Sequence, residues 1–178
     1  MKLIFNNLFC LVTSVVLLVF LGTTHAISTE LAQSAAHASF GIDERKNIRV
    51  VYDVKEDLWE AGVGKGLYFL NGLISSYKSM GVAAEGLHIS VILHGATAYW
   101  LLNERAYQLA KGDPFDFNPN EHIVQALLNR GVSVEICNAT MKAKGWTIND
   151  ILPGVTIVHD AYSRLIDLQL RNYAYIRF

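Results

Sequence analysis

The apolar positions of this chain change period several times, and the changes mark out elements. Ile48 to Val54 (I-R-V-V-Y-D-V) is a β-rich run. Beyond it, Trp59, Val63, Leu67, Leu70, Ile74 and Tyr77 recur three or four residues apart. That spacing predicts one amphipathic helix ending at Met80-Gly81, with the glycine as C-cap. Leu87 to Leu93 is nearly all apolar and stops at His94-Gly95, as a strand covered on both faces would. Ala96 to Asn103 predicts a short helix, and Glu104 to Asn118 an irregular insertion containing Gly112-Asp113-Pro114. Asn118 and Pro119 suit the N-cap and first turn of a further helix, which runs through Ile123, Ala126 and Leu127 to Arg130-Gly131.

Val132 to Cys137 reads as the third strand, with Val132, Val134 and Ile136 on one face and Ser133, Glu135 and Cys137 on the other. A glutamate in mid-strand predicts that this second face is only partly covered, near a subunit contact. Thr156 to Val158, Ala161 to Leu170 and Ala174 to Ile176 follow as strand, helix and strand. Strands alternating with helices at this spacing predict βαβ units, a mainly parallel sheet and helices on both of its faces, a three-layer α/β/α sandwich. Ligands in such sheets bind beyond the carboxyl ends of the strands, where Asp53, His94 and Cys137 fall.

The 178 residues are 52% apolar and 17% charged, with a formal net charge of −1. One core is expected, and a strongly basic nucleic-acid binder is excluded. The first segment has a different character. Lys2 precedes a 14-residue apolar run, Leu8 to Leu21, and then the small-residue sequence Thr24-His25-Ala26. That build predicts a secretory signal peptide over residues 1–26, cleaved after Ala26, and a periplasmic or secreted product with no membrane segment after cleavage. As a helix the run would reach only about 21 Å, short of the roughly 30 Å hydrocarbon core. Residues 27–46 are polar and read as a flexible lead-in, leaving residues 47–178 as a single domain. Cys10 would leave with the peptide, so Cys137 would be the one cysteine of the processed chain, and an intramolecular disulfide is ruled out.

Gly62-Val63-Gly64-Lys65-Gly66 invites a phosphate-loop reading, but its spacing fits neither the P-loop nor the dinucleotide fingerprint. Glycines that let a helix lie close on the sheet are the better account. His94 suits a ligand, a proton donor or a capping partner. His122 is expected in solvent and His159 at the start of the last helix. Neither H-x-x-x-H nor C-x-x-C occurs, so spacing supports no zinc site. A soft set of His94, Cys137, Met141 and His159 could hold copper only if the fold gathered it. No cofactor is implied. Cys137 ends a strand, and a helix starting at Asn138 would aim free N–H groups at its sulfur and favour the thiolate. The opposing reading is a small buried apolar side chain.

The helix start Asn118-Pro119-Asn120, the turn Gly131-Val132, the strand-ending Cys137, Asp150-Ile151-Leu152-Pro153-Gly154, Leu168-Gln169 and Tyr173-Ala174-Tyr175-Ile176 stand in an order that resembles the DsrE/DsrF-like family. Leu93-His94-Gly95 and Asn71 are similar too, so the resemblance runs from about Ile48 to the C-terminus. It implies a DsrE-like three-layer fold with a mainly parallel five-stranded sheet, and a homo-oligomer, trimeric or hexameric. In the sulfur-relay members a cysteine matching Cys137 carries persulfide sulfur between partner proteins. The resemblance therefore implies Cys137 as a sulfur-accepting nucleophile, His94 as its proton-handling neighbour, and a sulfur donor or acceptor protein as partner. This expectation needs the sulfur to be ionised and reachable from solvent. The relay members are cytosolic and their stretch after the cysteine differs from Asn138-Ala139-Thr140-Met141, so an exported branch is the closer likeness. The rival functions are a non-covalent small-ligand or metal-binding module and a structural oligomer whose cysteine is inert. The segment 104–118, with Tyr107, Phe115 and Phe117, would suit either a lid or a contact between subunits.

Overall fold

Strand β1 (Ile48–Val54) lies inside a five-stranded sheet of order β6-β5-β4-β1-β7, formed with β4 (Leu87–Leu93), β5 (Ser133–Cys137), β6 (Thr156–Val158) and β7 (Ala174–Arg177). Every neighbouring pair is parallel. The computed structural model describes residues 41–178, of which residues 42–178 form one compact unit. The expected signal peptide, and residues 27–40 of the expected lead-in, lie outside the described residues.

Parallel neighbours require crossovers, and the crossovers supply the outer layers. Helix α1 (Lys65–Ser79) leads from β1 toward β4, while α2 (Glu104–Lys111) and α3 (Glu121–Asn129) lie between β4 and β5. Leu67 and Leu70 of α1 and Val124 and Leu127 of α3 pack with Val50, Tyr52, Val91 and Val134 in the larger core cluster. Helix α5 (Ala161–Leu170) connects β6 at one sheet edge to β7 at the other, and so crosses the opposite face. There Ala161, Leu165 and Leu168 pack on Val51, Ile92 and Cys137. Fully burying each such leucine contributes about 1.5–3 kcal/mol. The three-layer sandwich is therefore present, and its sheet is wholly parallel.

Four local expectations are corrected. Trp59 to Gly64 is not the start of α1 but a hairpin, β2 (Trp59–Glu60) against β3 (Val63–Gly64). Its two-residue turn holds Ala61 at φ 49° and Gly62 at φ 82°, the left-handed pair that matches strand twist. Gly62 is thus a turn residue, and Gly66 is where α1 lies close on β1, since a Cβ there would come within 2.7 Å of Val54 Cγ2. The segment 104–118 is not wholly irregular: Glu104 to Lys111 is α2, capped by the Asn103 side chain accepting from Ala106 N–H at 3.0 Å and closed by Gly112. In α3 the first helical residue is Glu121, and Asn118, instead of capping it, donates to the Trp100 and Leu102 carbonyls. Finally, the face carrying Glu135 is covered. Glu135 is fully buried beneath α5, where Arg164 Nε and Nη2 donate to its two oxygens at 2.8 and 2.9 Å and Ser133 Oγ adds a third bond.

Candidate functional site

β1, β4 and β5 end at one level, and side-chain alternation sends Asp53, His94 and Cys137 to the face that α5 covers. His94 continues β4 in extended conformation before a 3₁₀ turn, Gly95–Leu101. Thr97 Oγ1 donates to the Val54 carbonyl at 2.6 Å, and Gly95, at φ 60°, donates its N–H to Thr140 Oγ1 at 3.2 Å. The loop after His94 is thereby pinned both to β1 and to α4 (Asn138–Lys144), the helix that follows Cys137.

His94 Nε2 stands 2.7 Å from Asp53 Oδ1, and both residues are about 95% buried. The Tyr175 hydroxyl donates to Asp53 Oδ2 at 2.6 Å. A carboxylate only accepts, so the His94 nitrogen that faces it, Nε2, carries a proton. Burial, reinforced by the Asp53 charge, pushes the Tyr175 hydroxyl up to about 12, keeping it a neutral donor. Tyr162 of α5 meets the His94 ring edge to face at 5.5 Å between centroids and takes a 3.3 Å bond from Lys55 Nζ. Asp53, Lys55, Tyr162, Leu165, Tyr175 and Arg177 border a cavity of about 250 Å³ on this face.

Cys137 does not meet the expectation of a reachable sulfur. It is 5% exposed, packed among Val51, Ile92, Leu165 and Leu168. It is the N-cap residue of α4, yet no N–H of that helix donates to its sulfur. The physical reason is the strand's alternation: Cys137 points with Glu135 into the layer that α5 seals, while the helix start lies past the end of the sheet. His94 and Cys137 are nonetheless neighbours in register, since Leu93 is opposite Ile136 one residue earlier. The soft-ligand set is not gathered. Met141 packs in the cluster on the other side of the sheet, and the His159 side chain is 92% exposed, bonded to Asp160 at 3.0 Å. Among the described residues no three His, Cys, Asp or Glu side chains converge as a metal site. His122 is exposed, as expected.

The model of the DsrE/DsrF-like family matches residues 67–178, more than half of the chain. The chain belongs to the DsrE/DsrF-like family. Its fold is similar to two solved structures, each over 74% of this chain. One is a protein of unknown function from Methanobacterium thermoautotrophicum, 24% identical and covered over 99% of its length, with a TM-score of 0.52. The other is the ychN protein from E. coli, 14% identical and wholly covered, with a TM-score of 0.54. A search of curated proteins gave no match.

In this DsrE/DsrF-like chain the sequence pointed to Asp53, His94 and Cys137 as strand-end residues but not to Tyr175, Tyr162 or Lys55. Tyr175 reaches Asp53 because β7 pairs with β1, with Val51 opposite Tyr175. That pairing joins residues 122 positions apart and leaves no trace in local spacing. The Tyr173-Ala174-Tyr175-Ile176 signature was the one available hint.

Proposed function

We propose that the protein handles sulfur, or another thiol-reactive small species, through Cys137, with His94 moving the proton. The observation that carries this reading is that Cys137 and His94 end adjacent strands on one face, with His94 held by a buried carboxylate beside a cavity. Membership of a family that includes sulfur-relay proteins supports it. In the simplest step Cys137 sulfur attacks the terminal sulfur of a persulfide or polysulfide. A new S–S bond forms at Cys137 as the donor's S–S bond breaks, and the thiol proton passes through His94 to the departing thiolate. Since Leu165 both packs on Cys137 and borders the cavity, its displacement is the route by which a donor would reach the sulfur.

The reading extends to export with cleavage after Ala26, to a homo-oligomer, and to a protein that gives or takes the sulfur. The apolar run after Lys2 supports the first. Exposed Tyr162, Ile166 and Leu170, one apolar stripe along α5, support the second. Incubation with polysulfide, followed by mass spectrometry of intact protein and peptides, is the test. Sulfur added at Cys137 and lost in Cys137→Ser is the expected result; an unmodified chain, or equal loading of the variant, removes the proposal.

The sealed position of Cys137 favours one second reading, in which the cysteine is a packing residue and the 250 Å³ cavity beside Asp53 binds a small ligand without covalent chemistry. Under that reading Cys137→Ser would leave ligand binding intact.

A further inference from the structure

A second cleft, of about 380 Å³, opens beyond the carboxyl ends of β1 and β4, bordered by Asp57, Gly95, Tyr99, Lys111, Lys144 and Trp146. Its size falls in the range of small-molecule sites, roughly 300–1,000 Å³. It lies outside the Asp53–His94–Cys137 group, and the sulfur step makes no use of it.

The chemistry of its walls is specific. Asp57 is held by three aromatic residues, one of them the cleft's Tyr99: Trp59 Nε1 and Trp100 Nε1 donate to Oδ1 at 3.0 and 3.1 Å, and the Tyr99 hydroxyl lies 3.0 Å from both oxygens. Burial keeps that hydroxyl neutral, its pKa pushed up to about 12. Lys111 Nζ sits 5.5 Å from the centroid of the Tyr99 ring, within cation–π range. Among the described residues, neither Lys111 nor Lys144 has a carboxylate within ion-pair distance. Each lysine ends a helix, α2 or α4, where a cation complements the carbonyl end. That accounts for a lysine at each position, but not for two from different helices converging on one cleft with aromatic walls. The Trp146 backbone N–H donates to the Met141 carbonyl at 3.0 Å, and its side chain packs against the main core.

Two ammonium groups against one committed carboxylate leave one surplus positive charge, and Tyr99 and Trp146 offer apolar surface of aromatic shape. We propose that this cleft is a binding site for a small aromatic monoanion, an arene carboxylate whose ring lies between Tyr99 and Trp146 and whose charge meets Lys111 and Lys144. Binding is non-covalent and independent of Cys137.

The test is a titration of the full chain with benzoate, followed by ¹H–¹⁵N NMR, with benzamide as the neutral isostere. Saturable shifts are expected at Gly95, Lys144 and the Trp146 indole N–H. Benzamide and the double variant Lys111→Gln/Lys144→Gln should each bind about tenfold more weakly or worse, with the rest of the variant's spectrum unchanged. Cys137→Ser should bind benzoate as the parent does. Shifts that fail to saturate, shifts that map elsewhere, or benzamide binding equal to benzoate would each overturn the assignment.

Discussion

Asp53 and His94 face each other across the β1–β4 pair, 2.7 Å apart and shut away from water. Asp53 has a second partner in Tyr175, so one carboxylate satisfies two buried or half-buried donors. Removing it leaves the buried His94 donor unpaired, at about 1–3 kcal/mol, and the hydroxyl of Tyr175, a residue 44% exposed, loses its bond at a smaller cost because water can replace it. Asp53→Ala is therefore expected to lower unfolding stability by about 2–4 kcal/mol, and Tyr175→Phe by about 1 kcal/mol. Urea unfolding of the three proteins checks this; equal stability would mean that the carboxylate is not the organiser of this end of the sheet.

Arg164 and Glu135 make a further polar contact on this face, and their energetics differ. Glu135 is fully enclosed, whereas the Arg164 side chain is 27% exposed. Arg164→Ala strands a buried charge and should cost about 3 kcal/mol, while Arg164→Met with Glu135→Leu restores much of the loss by replacing the pair with hydrocarbon. Thermal unfolding of the single and double variants measures the difference. A single variant as stable as the parent would show that the ion pair does not hold α5 to β5.

Leu165 belongs both to the cluster around Cys137 and to the cavity wall, whereas Leu168 belongs to the cluster alone. Leu165→Ala and Leu168→Ala should each destabilise by about 2–4 kcal/mol. Only the first should speed native-state labelling of Cys137 by a thiol reagent, by about tenfold, because only it opens a path from the cavity. Equal acceleration in both would mean that labelling follows general loosening of α5.

How much of this was legible follows from where the information lies. β1, β4, β6 and α5 were found at their observed limits because each has one period and a clear stop, such as His94-Gly95 or Asp160 before Ala161. The hairpin Trp59–Gly64 was absorbed into α1 because Trp59 and Val63 are four apart, a helical spacing that two short strands produced by chance. The face of Glu135 was legible from strand alternation but its cover was not, because its partner Arg164 lies 29 residues away on α5 and only the β6-to-β7 crossover brings the two together. The site shows the same division. Strand ends named Asp53, His94 and Cys137, but burial and the Tyr175 contact depend on which helix covers which face.

Ala61 occupies a left-handed position, φ 49°, in the two-residue hairpin turn before Gly62. A Cβ there costs about 1–2 kcal/mol relative to glycine in that conformation. Ala61→Gly gives part of this back to a more flexible unfolded chain, so a net gain of about 0.5–1 kcal/mol is expected, read as a higher urea midpoint.

Alkaline titration tests the burial of the tyrosines. Tyr52, Tyr99 and Tyr175 all have hydroxyls pushed up to about 12, chiefly by burial, with Asp53 adding to the effect at Tyr175 and Asp57 at Tyr99. Each therefore holds its proton more tightly folded than unfolded, where a tyrosine ionises near 10. The sign follows from linkage: the unfolded state releases protons first as pH rises, so stability from these groups is complete below about pH 10 and lost progressively toward pH 12. Absorbance at the tyrosinate band should show a late step near pH 12 that contains Tyr52, Tyr99 and Tyr175, and burial raises Tyr107 above its ordinary value as well. Tyr175→Phe should remove one equivalent from that later step, whereas a native titration complete near pH 10 would show that these hydroxyls are open to water.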